Sequence, residues 1–320
     1  MKKIILFLIF PLIIFGQEYY VYKTKGDVNL DGKIEEEIWQ KIPTAIGFKK
    51  TGSKIYAERQ TYFKAFYDEE NIYIGVICEE PEMDKIKAKG VDKDYSLWTE
   101  DSVEIFFQPE PERETYYYQF VVNAIGSRWS AKYISPGQGG FSIDYIWNAK
   151  AYRDKDFWSI EVIIPFKLIG KKPIENEKWK VNISRNILTE PGEKLTSWPN
   201  FKGNSFHAIE EFASFIFKGD LEKVDIEKTE KEINKEYIEK IKNLIEELVG
   251  YEKIVNEALK NPKFKNEVKP IAEKIEELKK IKKQDLKIKD IEKIKVALLQ
   301  KMAEKIKEIK SKVMIEGLFE

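Results

Sequence analysis

The feature that most constrains this chain is a change of periodicity near Gly219. Before it, aromatic and β-branched residues alternate with polar ones; after it, apolar residues recur every three or four positions among lysines and glutamates. The runs TYFKAFYD, NIYIGVICEE, DSVEIFFQ, TYYYQFVVN, FWSIEVIIPF, KWKVNISRNI and FASFIF, all between residues 61 and 217, read as strands. Turn signals separate them at 68–71, 109–111, 136–140 and 191–192. No helical crossover pattern lies between the runs, as parallel strands in series would need, which favours an antiparallel β-sandwich. Beyond Gly219, Ile233, Tyr237, Ile241, Leu244, Ile245 and Leu248 form one helical stripe, and Ile254, Val255, Ala258 and Leu259 a second. A third passes through Ile271, Ile275 and Leu278, then Ile291, Ile294, Leu298, Met302, Ile306 and Ile309. The fold class expected is therefore α+β by segments: a β-sandwich followed by an amphipathic α-helical bundle or coiled-coil tail.

The bulk properties exclude several functions. Lysine plus arginine and aspartate plus glutamate both total 55, so the formal charge is zero and nothing drives the chain globally toward nucleic acid or an anionic membrane. One cysteine, Cys78, rules out an internal disulfide framework and a multi-cysteine zinc site. Its register with Ile72, Ile74 and Val76 makes it a small buried hydrophobe. The opening MKKIILFLIFPLIIFG reads as an export signal: Lys2 and Lys3 precede an apolar run over 4–15 that is short for a membrane span. Cleavage is expected between Gly16 and Gln17, with an uncleaved anchor as the alternative, and the protein is expected to be exported. The expected organisation is a signal peptide over 1–16, the sandwich over 17–219 and a charged helical tail over 220–320.

GDVNLDGKIEEEIW, residues 26–39, imitates a calcium loop, since Asp27, Asn29 and Asp31 alternate and Gly32 follows. An EF-hand loop begun at Asp27 needs a bidentate acid at its twelfth position, and Ile38 stands there. The stretch instead predicts an Asp-Gly turn at Asp31 and Gly32 followed by a short helix carrying Trp39.

Strand parity sorts the residues that could carry chemistry. Trp158 shares a face with Ile160, Val162 and Ile164, and Trp179 with Val181 and Ile183, so both are expected in the core, with Trp39 capping it. Trp98 and Trp198, in the polar contexts YSLWTEDS and LTSWPNFKG, are candidate ligand platforms; ordinary edge packing is the alternative. Along DSVEIFF, Glu104 falls on the parity of Trp98, a carboxylate beside a stacking ring. Arg185 falls on an apolar stripe and must be paired or functional, and Arg128 is a further candidate. Asp101 and Glu161 could partner Glu104 in a hydrolase, but parity places Asp101 opposite and Glu161 toward solvent. Met83 and His207 are the conceivable axial ligands of a haem, with a surface or hydrogen-bonding role for His207 as the alternative.

VNLDGKIEEEIWQKIP, YSLWTEDSVEIFFQP, FWSIEVIIPFKLIG and KWKVNISRNI followed by SWPN, in this order, resemble carbohydrate-binding module family 9 over roughly residues 24–217. The resemblance implies a sandwich of jelly-roll type that clamps a sugar end between two tryptophans, here Trp98 and Trp198. It further implies that Glu104 hydrogen-bonds sugar hydroxyls, that Arg128 and Arg185 match family arginines, and that structural calcium is bound, with ligands left unassigned. No asparagine directly precedes Trp198, where the family has one; Leu195, Thr196 and Ser197 stand there, which leaves the sugar preference open. The function expected is non-catalytic binding of a glucose- or xylose-type sugar, including the end of a β-glucan or xylan chain. The alternatives are a protein hydrolysing O-glycosyl compounds and a haem-binding redox module. No cofactor is required for binding, and the tail is expected to self-associate or to contact another envelope protein.

Overall fold

The computed structural model describes residues 16–316 apart from 26, 94, 114–115, 138–139, 144, 190–194, 282–285, 287 and 292–293. Residues 1–15 of the expected signal segment over 1–16, and the turn at 191–192, lie outside the described residues. The strands are β1 (Glu18–Lys23), β2 (Lys49–Lys50), β3 (Thr61–Tyr67), β4 (Asn71–Glu79), β5 (Ser102–Gln108), β6 (Tyr117–Asn123) and β7 (Arg128–Tyr133). They continue as β8 (Phe141–Ser142), β9 (Asn148–Arg153), β10 (Phe157–Pro165), β11 (Lys178–Asn186), β12 (Leu195–Ser197) and β13 (Ala213–Asp220). Helix α1 (Glu37–Lys41) follows the Asp-Gly turn, and α2 (Phe166–Ile169) follows β10.

The strands form one curled sheet in the order β8-β7-β6-β5-β11-β13-β1-β3-β4-β10-β9, with β12 beside β11 and β2. The sheet folds over a core in which Trp147, Trp158 and Trp179 are fully buried among Val103, Ile105, Ile160, Val162 and Ile183. The sandwich architecture is the one the alternating runs predicted. The pairing is mixed, however, because β1 runs parallel to both β13 and β3. That terminal strand joins the two halves of the curl without a helical crossover, which is why a search for crossovers could not reveal it. Cys78 is buried in the core, as its register required.

The predicted turn at Asp31 and Gly32 is present, and it is held from an unexpected direction. Glu161 was expected to face solvent; it is buried, and its Oε2 accepts from the Asp31 and Gly32 amides at 2.9 and 2.8 Å. Its Oε1 accepts from Trp39 Nε1 at 2.9 Å. The outer face of β10 is covered by the turn and α1, so the parity assignment was right and the solvent assignment wrong. Gly32 has φ of +90°, and a Cβ there would lie 2.4 Å from the Ala151 carbonyl carbon, so a side chain is excluded twice over.

The tail forms α3 (Ile226–Ile233), α4 (Lys235–Gly250), α5 (Glu252–Ala258), α6 (Lys265–Ile281), α7 (Ile288–Ile291) and α8 (Val296–Glu316). Its predicted stripes meet in a second apolar core running through Ile241, Leu248, Ile275, Leu278 and Ile306. In α8 the buried seam takes Val296 and Leu299, leaving Leu298 exposed. The bundle packs back on the sheet. Tyr237 stacks edge-on against Tyr56 at 4.8 Å, Asn234 bridges the Ile46 amide and the Thr44 carbonyl, and Lys49 pairs with Glu236 at 2.6 Å. No helix among the described residues is long and apolar enough to cross a membrane.

Candidate functional site

The sandwich core uses one parity of β5, β6 and β11; the other parity builds a pocket. On β5, Val103, Ile105 and Phe107 enter the main core, so Glu104 points to the second face. Gln119 on β6, Trp129 and Tyr133 on β7, and Asn186 at the end of β11 share that face. With Trp98 they line a cavity of about 270 Å³, closed by Leu195 and by the 204–207 loop. Trp98 sits on a 3-10 turn (Tyr95–Thr99) immediately before β5 and keeps 44% of its surface exposed, whereas Trp129 is packed to 8%. Trp98 and Glu104 therefore line one pocket, as expected, although a 3-10 turn and not a continued strand alternation brings Trp98 there.

The polar floor is a connected series of hydrogen bonds. Tyr133 donates to Gln119 Oε1 at 2.8 Å, and Gln119 Nε2 donates to Glu104 Oε2 at 2.6 Å. Asn186 Nδ2 donates to Glu104 Oε1 at 2.7 Å and also lies 3.1 Å from Ser102 Oγ. Burial pushes the Glu104 carboxyl up to about 7, against the opposing pull of the two amide donors. Tyr117 stacks on Tyr133 at 4.9 Å, and its hydroxyl accepts from the Gly137 amide and is hydrogen-bonded with His207 Nδ1 at 2.7 Å. Burial lowers the His207 pKa, so the imidazole is neutral near pH 7. The pocket thus offers aromatic walls and a carboxylate–amide floor, which suits a ligand with apolar faces and a polar rim.

Three expected site residues lie elsewhere, each for a local reason. Trp198 is fully buried, packed edge-on against Phe63 at 5.0 Å and Tyr19 at 6.4 Å. Its amide donates to the Ile183 carbonyl at 3.0 Å, which extends the β11–β12 pairing and turns the indole to the core face of Ile183. The expected clamp of Trp98 with Trp198 is thereby corrected: the second indole at the pocket is Trp129. Arg128 has the opposite parity to Trp129. It lies over the Trp147 ring, donates to the Trp147 carbonyl and to Asn148 Oδ1, and pairs with Asp92, so it braces the sheet outside the pocket. Arg185 is fully buried, 3.2 Å from Glu80 and over the Trp158 ring. The apolar stripe that carried Arg185 inward leaves the adjacent Asn186 facing the pocket.

The remaining candidates are dispersed. Asp101 is buried on the core-side parity, accepting from the Lys87 and Leu188 amides at 2.8 and 2.9 Å. Met83 packs at the fringe of the sandwich core, whereas His207 lines the pocket. Gln119, Trp129, Tyr133 and Asn186 were missed by sequence reasoning. Parity with Glu104 could have suggested Gln119 and Asn186 only once the β5–β6 and β5–β11 registers were known.

Two other features bear on ligands. Oxygens of Asp31, Glu36 and Glu161 lie within 4.8 Å of one another at the Asp-Gly turn, and Glu36 Oε2 is buried without a protein hydrogen-bond partner. Such an oxygen set is suited to calcium, which takes carboxylate and carbonyl ligands. A larger groove of about 640 Å³ lies beside the opposite sheet face, along Tyr62, Lys64, Glu79 and Lys295. Several of its polar groups are already paired: Tyr62 donates to Glu79, Lys295 faces Glu79 at 3.7 Å, and Lys64 donates to the Trp39 and Ile42 carbonyls. The smaller pocket, with an acid paired only to neutral amides, has the stronger claim to a ligand.

The sequence profile of the family described as carbohydrate family 9 binding domain-like matches residues 30–220. Among solved structures, a protein from Bacteroides uniformis ATCC 8492 to which carbohydrate binding has been ascribed superposes with a TM-score of 0.52 at 14% identity, covering 63% of this chain and 100% of that one. At that identity the likeness is one of fold. A family 9 carbohydrate-binding module from Caldicellulosiruptor kristjanssonii in complex with cellotriose gives 0.47 at 17% identity over 63% of this chain and 94% of its own. The same source in complex with glucose gives 0.48 at 17% identity over 64% and 99%. A search of curated proteins returns no match.

Proposed function

The chain belongs to the carbohydrate family 9 binding domain-like family, and from that premise we propose that it is a non-catalytic sugar-binding protein whose site is the Trp98–Glu104 pocket. The observation that carries this reading is the convergence of Trp98, Trp129 and Tyr133 with Glu104, Gln119 and Asn186 around one cavity. A pyranose presents C–H faces to the rings, each such packing contributing about 0.5–1.5 kcal/mol beyond burial, and its hydroxyls to the carboxylate and amides. A cavity of about 270 Å³ suits the end of a chain or a short saccharide of the glucose or xylose type, including a β-glucan or xylan terminus. The Caldicellulosiruptor module's complexes with glucose and cellotriose are consistent with that class.

Hydrolysis of a glycosidic bond requires two carboxylates about 5–9.5 Å apart. Among the described residues lining the pocket, Glu104 is the only carboxylate. The lysine pair and apolar run at the start of the chain support export, so that the sugar is met outside the cytoplasm. A structural calcium ion belongs to the same reading, with Asp31, Glu36 and Glu161 as the residues that would hold it.

Isothermal titration of the protein with glucose, xylose, cellobiose and xylobiose tests the proposal. Saturable heat with at least one of them, with Kd of order micromolar to millimolar, is expected. A folded protein giving no heat with any of the four would overturn it.

A further inference from the structure

Among the described residues, the charge inside the pocket is one-sided. Glu104 is 4% exposed, and its oxygens are met by the side-chain amides of Gln119 and Asn186. Among the described residues, no lysine or arginine lines the cavity. The two arginines expected at the site are engaged elsewhere, Arg128 with Asp92 and Arg185 with Glu80. His207 is held at Nδ1 by Tyr117.

A buried carboxylate that meets no cation among the described residues is costly, and a cationic group on the ligand would offset that penalty where a neutral hydroxyl offsets less of it. The rings around the same space matter as well. Trp98, Trp129 and Tyr133 present π-systems whose faces attract a cation. An acid at the floor and aromatic rings on the walls form a receptor for an ammonium group carried on an apolar frame.

We propose that the pocket selects a sugar bearing a free protonated amine, a 2-amino-2-deoxyhexose unit, whose ammonium pairs with Glu104 while its ring packs against Trp98. The inference rests on the sugar-binding reading of the same site and names the ligand class within it. N-acetylation removes the charge and adds bulk. A uronic acid brings a second negative charge beside Glu104. Both are disfavoured on the same grounds.

The test is isothermal titration at pH 7 with glucose, glucosamine, N-acetylglucosamine and glucuronate, using the full chain and its Glu104→Gln variant. Glucosamine should bind about tenfold more tightly than glucose, the difference between a charge-assisted and a neutral hydrogen bond. N-acetylglucosamine and glucuronate should fall below glucose. Glu104→Gln should bring the glucosamine-to-glucose affinity ratio, measured within the variant, down to about one. Glucosamine binding no tighter than glucose in the wild type overturns the inference without recourse to the variant, and so does an advantage that survives Glu104→Gln. Glucose binding without amine preference defeats this inference alone, whereas absence of binding by every sugar defeats the parent reading too.

Discussion

Asn186 Nδ2 donates to Glu104 Oε1 at 2.7 Å, tying the end of β11 to the middle of β5 across the pocket floor. The bond serves the ligand and the protein differently. It holds the carboxylate at the wall, and it opposes the burial that raises the Glu104 pKa. Asn186→Ala should therefore push the Glu104 pKa further up, which a carboxyl-resolved NMR titration would show as a midpoint above that of the wild type. An unchanged or lower midpoint would contradict the assignment.

Glu104 also links stability to pH. Its folded pKa, about 7, lies above the ordinary 4.5, so the folded protein holds this proton more tightly than the unfolded chain does. Between those two values the folded state binds more protons, and stability falls as pH rises. The penalty is fully present above about pH 7 and vanishes as pH drops toward the unfolded value. At pH 8, Glu104→Gln should stabilise the fold by up to about 3 kcal/mol, with the gain shrinking toward pH 5. Urea midpoints of both proteins across that range would check it. A variant less stable than wild type at pH 8 would mean that the carboxylate is needed for folding.

A second buried acid is shared by two arginines. Glu80 Oε1 accepts from Arg59 at 2.6 Å, and its Oε2 accepts from Thr189 at 2.8 Å and from Arg185 at 3.2 Å. Glu80→Gln leaves Arg185 fully buried without its carboxylate, while Arg59 keeps Glu82 at 2.6 Å, and should cost about 3–5 kcal/mol. Arg185→Met leaves Glu80 paired to Arg59 and should cost much less, and adding it to Glu80→Gln should recover part of the loss. Chemical denaturation of the two single variants and the double variant would measure the coupling.

How much of this was legible in the sequence follows from the range of each signal. Parity is local, so it placed Trp158 and Trp179 inward and put Glu104 on the face of β5 opposite Asp101, but it does not reach Trp98, which stands on a 3-10 turn before the strand. Register is not local. Trp198 occupies a turn-like, polar stretch, yet its amide bond to Ile183 carries it to the core face, and no window around Trp198 contains that partner. Trp129 was passed over because its strand, RWSAKY, is short and polar, and its role depends on lying across β6 from β5. Glu161 was misassigned because the covering turn lies some 130 residues earlier. The helical tail's stripes were readable from period alone, since α-helical contacts repeat locally, but its docking through Asn234 and Tyr237 was not.

The acids at the Asp-Gly turn give a metal prediction. If Asp31, Glu36 and Glu161 hold calcium, millimolar calcium should raise Tm and a chelator should lower it, by mass action on the folded state. Glu36→Gln should abolish the response while leaving the Tm in chelator close to that of the wild type. A Tm indifferent to calcium would leave Glu161 as a staple for the turn alone.

The most direct measurement is a cellobiose titration of the wild type beside Trp98→Ala. Trp98 keeps 44% of its surface exposed, so its removal should leave the fold intact by circular dichroism. Loss of the stacking wall should weaken binding at least tenfold, about 1.4 kcal/mol. Saturable binding in the wild type and its loss in the variant is the predicted result. Binding of equal strength in both would contradict the assignment of the site.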